Sequence, residues 1–262
     1  MPRPAAEYPY FDNDGLPLAF AHRGGGLGDG ATLENSMMAF QAAVDLGYRH
    51  IETDVQATKD GVLVIFHDAA LDRTTDGKGA IRNFTWKDLA SIKLGGIEAI
   101  ARLEDVFDTW PELRLNIDAK SAASVPLLAD AVIRHRAFDR VCLAAFSHRS
   151  VAELRRRAGP RVATSFGRVE IGTLRLLPGA RLRKTIVGPG QVTQVPVRRG
   201  PLEIVTPGFI QRMHAHGLQV HVWTIDEAAE INRLLNMGVD GIFSDRIDVL
   251  KDTYVARGIW RG

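Results

Sequence analysis

Apolar positions along this chain alternate between two periods. Short apolar runs recur, and most are followed by a stretch whose apolar positions repeat every three to four residues. The run Leu18-Ala19-Phe20-Ala21 predicts a first strand. Met37, Met38, Phe40, Ala43, Val44 and Leu46 then supply one face of a helix. Thr32 is placed to cap that helix, which the pattern starts near Leu33, and Gly47 ends it. A second strand begins near His50. After an irregular stretch, a short helix at Leu103–Thr109 leads into a strand at 113–120. From there the alternation is regular: helix 122–136, strand 141–146, helix 149–158, strand 161–166, helix 169–177 and strand 191–197. Thr206-Pro207 opens a helix to His216, a strand covers 219–224, Asp226 caps a helix to Met237, and a last strand ends at Ser244-Asp245. Eight strands, starting near 18, 50, 113, 141, 161, 191, 219 and 240, predict an α/β chain closed as a (β/α)8 TIM barrel. Residues of about 70–102 form a small insertion after the second barrel strand, with one short helix near Thr85–Ile92. Residues 1–17 read as a lead-in arm, and no linker or repeat divides 1–262 into more than one domain.

The stretch Ile51–Asp72 concentrates the chemistry. Glu52 and Asp54 are two apart on a strand and share a face. Paired carboxylates are how an oxygen-ligand site for a hard cation begins. Asp60-Gly61 predicts a two-residue type I′ hairpin turn, since both centres need positive φ. Pairing 59 with 62 then sets Asp54 opposite His67 and brings an imidazole to the carboxylates. The alternative is an ordinary hairpin with its charges in water. His22-Arg23-Gly24-Gly25-Gly26 follows the first strand directly, where α/β folds place their chemistry. Its glycines match neither a P-loop nor a dinucleotide fingerprint, and keeping the loop low over a pocket is the better account. Asn116, Asp118 and Lys120 share a face on their strand, with Asp118 and Lys120 at its C-terminal end.

Composition narrows the field. Hydrophobic content of 45% with 24% charge suits a globular protein with a full core. A net charge of +2 argues against nucleic acid as a partner. The basic runs Arg155-Arg156-Arg157 and Arg181-Leu182-Arg183-Lys184 read as solvated helix faces. The single cysteine, Cys142, excludes an internal disulfide and reads as a buried thiol. No signal-peptide core or membrane-length apolar run is present, so the expectation is a cytoplasmic protein without stable membrane insertion. Oligomeric state is open.

In order along the chain, His22-Arg23-Gly24, Leu33-Glu34-Asn35-Ser36, Glu52-x-Asp54, Lys59-Asp60-Gly61, His67-Asp68, Leu71 through Gly77, Asp118-x-Lys120, Val222-Trp223-Thr224 and Asp240 through Asp245 form an ordered set. This set resembles the glycerophosphodiester phosphodiesterase family over nearly the whole chain from His22 to about Leu250. The resemblance implies a TIM barrel that uses a divalent cation and two histidines to cleave glycerophosphodiesters into an alcohol and glycerol 3-phosphate. It makes His22 and His67 the acid/base pair and Glu52, Asp54 and Asp118 the metal ligands, for Ca²⁺ or Mg²⁺ with Mn²⁺ as a further candidate. Asp118 stands where the family usually has glutamate, so this ligand is one methylene shorter. Ala145-Phe146 stands where the family has Ser-Phe.

Arg23 and Lys120 are expected to bind phosphate, and Trp223 either wall the glycerol pocket or belong to the core. Glu34 and Asn35 are expected behind the site, Glu34 orienting Arg23 or His22 or else favouring a helix N-terminus through its dipole. One histidine would deprotonate the attacker, either water or the glycerol 2-hydroxyl, and the other protonate the leaving alkoxide. His148, His214, His216 and His221 lack a matching carboxylate constellation and read as structural or surface groups. Two other readings are a phospholipase-D-like enzyme acting on lipid headgroups and a catalytically silent barrel that binds a phosphorylated metabolite. The lipase would need an apolar trough, and the silent barrel should have lost a histidine or a carboxylate.

Overall fold

The computed structural model describes residues 3–26, 33–176 and 189–262. Nine strands form its main sheet: β1 (Leu18–His22), β2 (His50–Ala57), β3 (Leu63–Ile65), β4 (Arg114–Ala119), β5 (Val141–Ala144), β6 (Ala163–Thr164), β7 (Val192–Val195), β8 (Gln219–Val222) and β9 (Gly241–Ser244). All but β3 are parallel, in the order β6-β5-β4-β2-β1-β9-β8-β7. The ring closes between β6 and β7 through a parallel bridge, Ser165 to Val192, with Phe166 N–H on Val192 O and Gln191 N–H on Thr164 O, each 3.0 Å. This is the eight-stranded barrel that the periodicity predicts. β3 pairs antiparallel with β2 and stands outside the ring.

Helices return the chain between successive strands and bury their apolar faces on the barrel's outer surface. That interface forms the largest apolar cluster, including Phe40, Phe107, Leu128, Leu154, Phe209 and Leu234. Helix α1 (Met37–Asp45) starts later than the pattern suggested. Ser36 Oγ accepts the Ala39 N–H at 3.0 Å and caps it. Thr32, the expected cap, lies outside the described residues, as does the Arg181–Lys184 run. Asp226 does not cap the helix Ala228–Met237. Its Oδ1 accepts from Ser244 Oγ and from the backbone N–H groups of Asp245 and Arg246, which pins the loop after β9. Arg155 also departs from its expected place in solvent. It turns inward to Glu170 at 2.7 Å and to Ser165 O at 2.8 Å, while Arg156 and Arg157 pair with Glu153 outside.

The arm at residues 3–17 closes the barrel from below. Its turns at Ala5–Glu7 and Pro9–Phe11 set Tyr8, Tyr10 and Phe11 against Phe20 and Phe243 inside the ring. Tyr8 Oη donates to Pro160 O and accepts from Gln191 Nε2, and Ala5 N–H bonds Gly217 O. These partners all precede strands, so the plug sits at the N-terminal end. Burying each ring stabilises the fold by roughly 1.5–3 kcal/mol. Cys142 is fully buried here, as expected.

The hairpin register differs from the prediction by one residue. Thr58 N–H bonds Val62 O, leaving the three-residue loop Lys59-Asp60-Gly61 with Gly61 at φ 80°. Asp54 therefore faces Phe66, whose N–H donates to Asp54 O at 2.9 Å. An Asp-Gly pair fits both loop lengths. The three-residue form wins because Asp60 is held by Thr58 Oγ1 and also receives the Trp86 N–H. Beyond the hairpin, the insertion has its own small core of Val64, Phe66, Leu71, Ile81, Leu89, Leu94 and Ile100. Its short helix, Trp86–Leu89, carries a capping box between Thr85 and Asp88.

Candidate active site

The C-terminal ends of β1, β2, β4 and β9 converge on one cavity of about 500 Å³. His22, Arg23, Glu52, Asp54, His67, Asp118, Lys120 and Trp223 all line it. Register explains the convergence. His22 on β1 lies beside Glu52 on β2, and Asp54 lies beside Asp118 on β4. Hairpin β3 carries His67 to the same mouth, one residue beyond the position that pairs with Asp54.

Directly after β1 the chain turns sharply. Arg23 sits at φ 53°, and Gly24 and Gly25 at 84° and 81°. A Cβ on Gly24 would meet the Phe40 ring at 2.5 Å, so the turn can pack onto α1 only with glycine there. It directs the Arg23 N–H onto Glu52 Oε2 at 3.1 Å and its guanidinium onto Glu34 at 2.9 Å. Asn35, also left-handed at φ 57°, donates to Asp54 Oδ2 at 2.8 Å and accepts from Thr53 Oγ1 at 2.8 Å. Both expected supporting residues thus touch site residues. Trp223 lines the cavity and also packs against the inner core.

The two histidines share a pattern. His22 Nδ1 is 2.6 Å from Asp245 Oδ1, and His67 Nδ1 is 2.6 Å from Asp68 Oδ1. Arg73 grips Asp68 from its other side and, with His67, holds that carboxyl down at about 2. Burial pushes Asp245 upward, but the hydrogen bond and charge of His22 outweigh it and its pKa ends lowered. Both carboxylates are therefore ionised at neutral pH and only accept, so each Nδ1 must donate. Each ring lines the cavity, with His22 Nε2 3.7 Å from Glu52 Oε2. Burial opposes the charged form of His22, yet Glu52 and Asp245 prevail and its pKa is raised.

Asp68, Arg73 and Asp245 had no role in the sequence reading. A signal for Asp245 was available: in a closed barrel the first and last strands are neighbours, so an acid ending the eighth belongs beside a histidine ending the first. Arg73 comes from the insertion and bridges Asp68 to Glu34, at 2.6 and 2.5 Å. Only the folded insertion reveals that link.

The carboxylate cluster is deeply buried. Burial and the Asp54 charge push Glu52 up to about 7. Asp118 is raised, burial outweighing Lys120. Asp54 is lowered because Lys120 and Arg23 overcome its burial. Lys120 Nζ stands between Asp118 and Asp54, at 2.6 and 2.8 Å. Among the described residues no three ligand side chains converge on a single point as they stand. The donor set nonetheless suits a hard cation. It offers three carboxylates and no sulfur, and Asp118 Oδ1 is buried without accepting a hydrogen bond, Lys120 being on its other oxygen.

The chain matches the model of the glycerophosphoryl diester phosphodiesterase family over residues 22–249. It is 38% identical to "Probable glycerophosphodiester phosphodiesterase 2" of Mycobacterium tuberculosis, with 96% of each chain covered. Among solved structures it resembles a glycerophosphoryl diester phosphodiesterase from Parabacteroides distasonis (TM-score 0.75, 22% identity, covering 98% of this chain and 93% of that one). It also resembles an Oleispira antarctica phosphodiesterase in complex with the product sn-glycerol-3-phosphate (TM-score 0.74, 22% identity, 92% and 97% covered).

Proposed function

The chain belongs to the glycerophosphoryl diester phosphodiesterase family, and from that premise we propose that this cavity hydrolyses glycerophosphodiesters to an alcohol and glycerol 3-phosphate. His22 and His67 are the acid/base pair, and Glu52, Asp54 and Asp118 hold one divalent cation, Ca²⁺, Mg²⁺ or Mn²⁺. The observation that carries the reading is the matched pair of imidazoles. Each is tied through Nδ1 to an ionised carboxylate and lines the same cavity as three clustered acids.

One histidine takes the proton of the attacking hydroxyl at Nε2, and the other gives its Nε2 proton to the leaving alkoxide. Asp245 and Asp68 fix the tautomer that leaves Nε2 in play and favour the protonated ring once formed. Arg23 and Lys120 face charge that spreads over the phosphoryl oxygens, and Asn35 and Glu34 keep Asp54 and Arg23 in place. When bound, the cation adds Lewis-acid stabilisation of that same charge. The pocket suits it because burial raises Glu52 and Asp118 despite the neighbouring Lys120, and a divalent cation would favour their charged forms.

The test is release of glycerol 3-phosphate from glycerophosphocholine by EDTA-treated protein, before and after Ca²⁺, Mg²⁺ or Mn²⁺ is restored. Metal-dependent release is expected. Release that survives full chelation would remove the cation from the reading, and no release from folded protein on a panel of glycerophosphodiesters would remove the reaction.

A further inference from the structure

The cavity has a second wall that the chemistry above does not use. Across from the carboxylates, Phe166, Arg168 and Arg175 follow β6, and Arg199 and Leu202 follow β7. The sequence holds no Asp or Glu between Glu170 and Glu203. Glu170 is committed to Arg155 and Glu203 acts on Arg233. Among the described residues, neither these acids nor any other forms an ion pair with Arg168, Arg175 or Arg199. Arg175 Nε is buried with no acceptor, and Arg212 reaches the Arg175 carbonyl at 2.8 Å, adding a further cation behind it.

Phe146 connects the two walls. Its ring centroid is 5.0 Å from Lys120 Nζ on the carboxylate side and 4.3 Å from Arg168 Cζ on the other. A phosphodiester reacting beside Lys120 therefore extends one ester arm past Phe146 toward the arginines. Arg175 Nε is the buried, unpartnered donor of this wall, Arg168 and Arg199 reach solvent beside it, and a planar guanidinium fork matches phosphate oxygens.

We infer that this wall receives the alcohol half of the substrate and that the preferred alcohol carries a second phosphate. The inference rests on the phosphodiesterase reading and specifies its substrate class.

Two soluble compounds make the test: glycerophosphoglycerol, whose alcohol is neutral, and bis(glycerophospho)glycerol, which adds one anionic phosphodiester to it. The expected kcat/KM is at least ten-fold higher for the second, mainly through KM, with the gap shrinking as salt is raised. Arg175→Gln with Arg199→Gln should collapse the gap. The exposed Arg199→Gln alone should narrow it in a protein whose melting temperature is unchanged. Equal kcat/KM for the two compounds overturns the inference and leaves the reaction standing. If neither is cleaved, the reaction falls, and calorimetric binding of the intact compounds decides the inference: tighter binding of the doubly anionic one supports it, and equal binding overturns it.

Discussion

Two pairs of histidines occupy the two ends of this barrel. At the mouth, His22 and His67 each hold a carboxylate through Nδ1 and present Nε2 to a cavity. At the floor, His50 and His221 are packed among aromatic rings. His221 lies 5.0 Å from Phe20 and 5.9 Å from Phe11, and His50 lies 5.3 Å from Phe20 and 5.5 Å from Tyr10. Burial pushes both floor rings down to about 3, so they stay neutral, while His22 moves the opposite way. All four sit on or beside a strand, in one sheet. Their chemistry diverges because one end offers carboxylates and the other offers only ring faces and amides.

Substitution should separate the two ends, most sharply at the mouth. His22→Ala and His67→Ala are expected to cut kcat by about 10²–10⁴-fold with little change in melting temperature. Steady-state assays beside thermal melts check this, and full activity in either variant would end its assignment. Asp245→Asn and Asp68→Asn should lower kcat by about 10²-fold, since an amide no longer demands the same tautomer of its histidine. A loss seen only in KM would point to substrate binding instead. Glu52→Gln should weaken divalent-cation binding by about ten-fold or more, measured by calorimetry on chelator-stripped protein.

The floor should answer in stability alone. His221→Ala removes a ring packed on Phe20 and should cost about 2–4 kcal/mol in urea unfolding, while the remaining folded fraction turns over normally. A change in kcat in that variant would blur the contrast. The last effect is on pH. The folded pKa of His221 lies below the unfolded value near 6.5, so under pH 6.5 the unfolded chain binds more protons. Stability is then whole above pH 6.5 and falls by up to about 1.4 kcal/mol per unit as pH drops toward 3, from this ring. His221→Phe should flatten that slope, and an unchanged slope would mean that the acid sensitivity comes from elsewhere.

Much of this was legible because it depends on local pattern. Strand and helix periods located eight barrel strands, and Glu52 and Asp54 share a face by simple alternation. What depends on long-range packing was not. The hairpin register turned on a contact between Asp60 and Trp86, far apart in sequence. Asp226 looked like a helix cap by spacing, but its carboxylate serves the next loop. Arg155 read as one of three surface arginines until Glu170 drew it inward. His221 read as structural or surface, and only strand alternation around a closed ring sends it to the centre.

The aromatic plug beneath the barrel also shapes traffic. With Tyr10, Phe11, Phe20 and Phe243 filling the floor, the reaction chamber is a cul-de-sac. Both products must depart through the doorway by which the reactant arrived. Either product still seated there blocks the reactant's way in. The last fragment to leave should then act as a competitive product inhibitor.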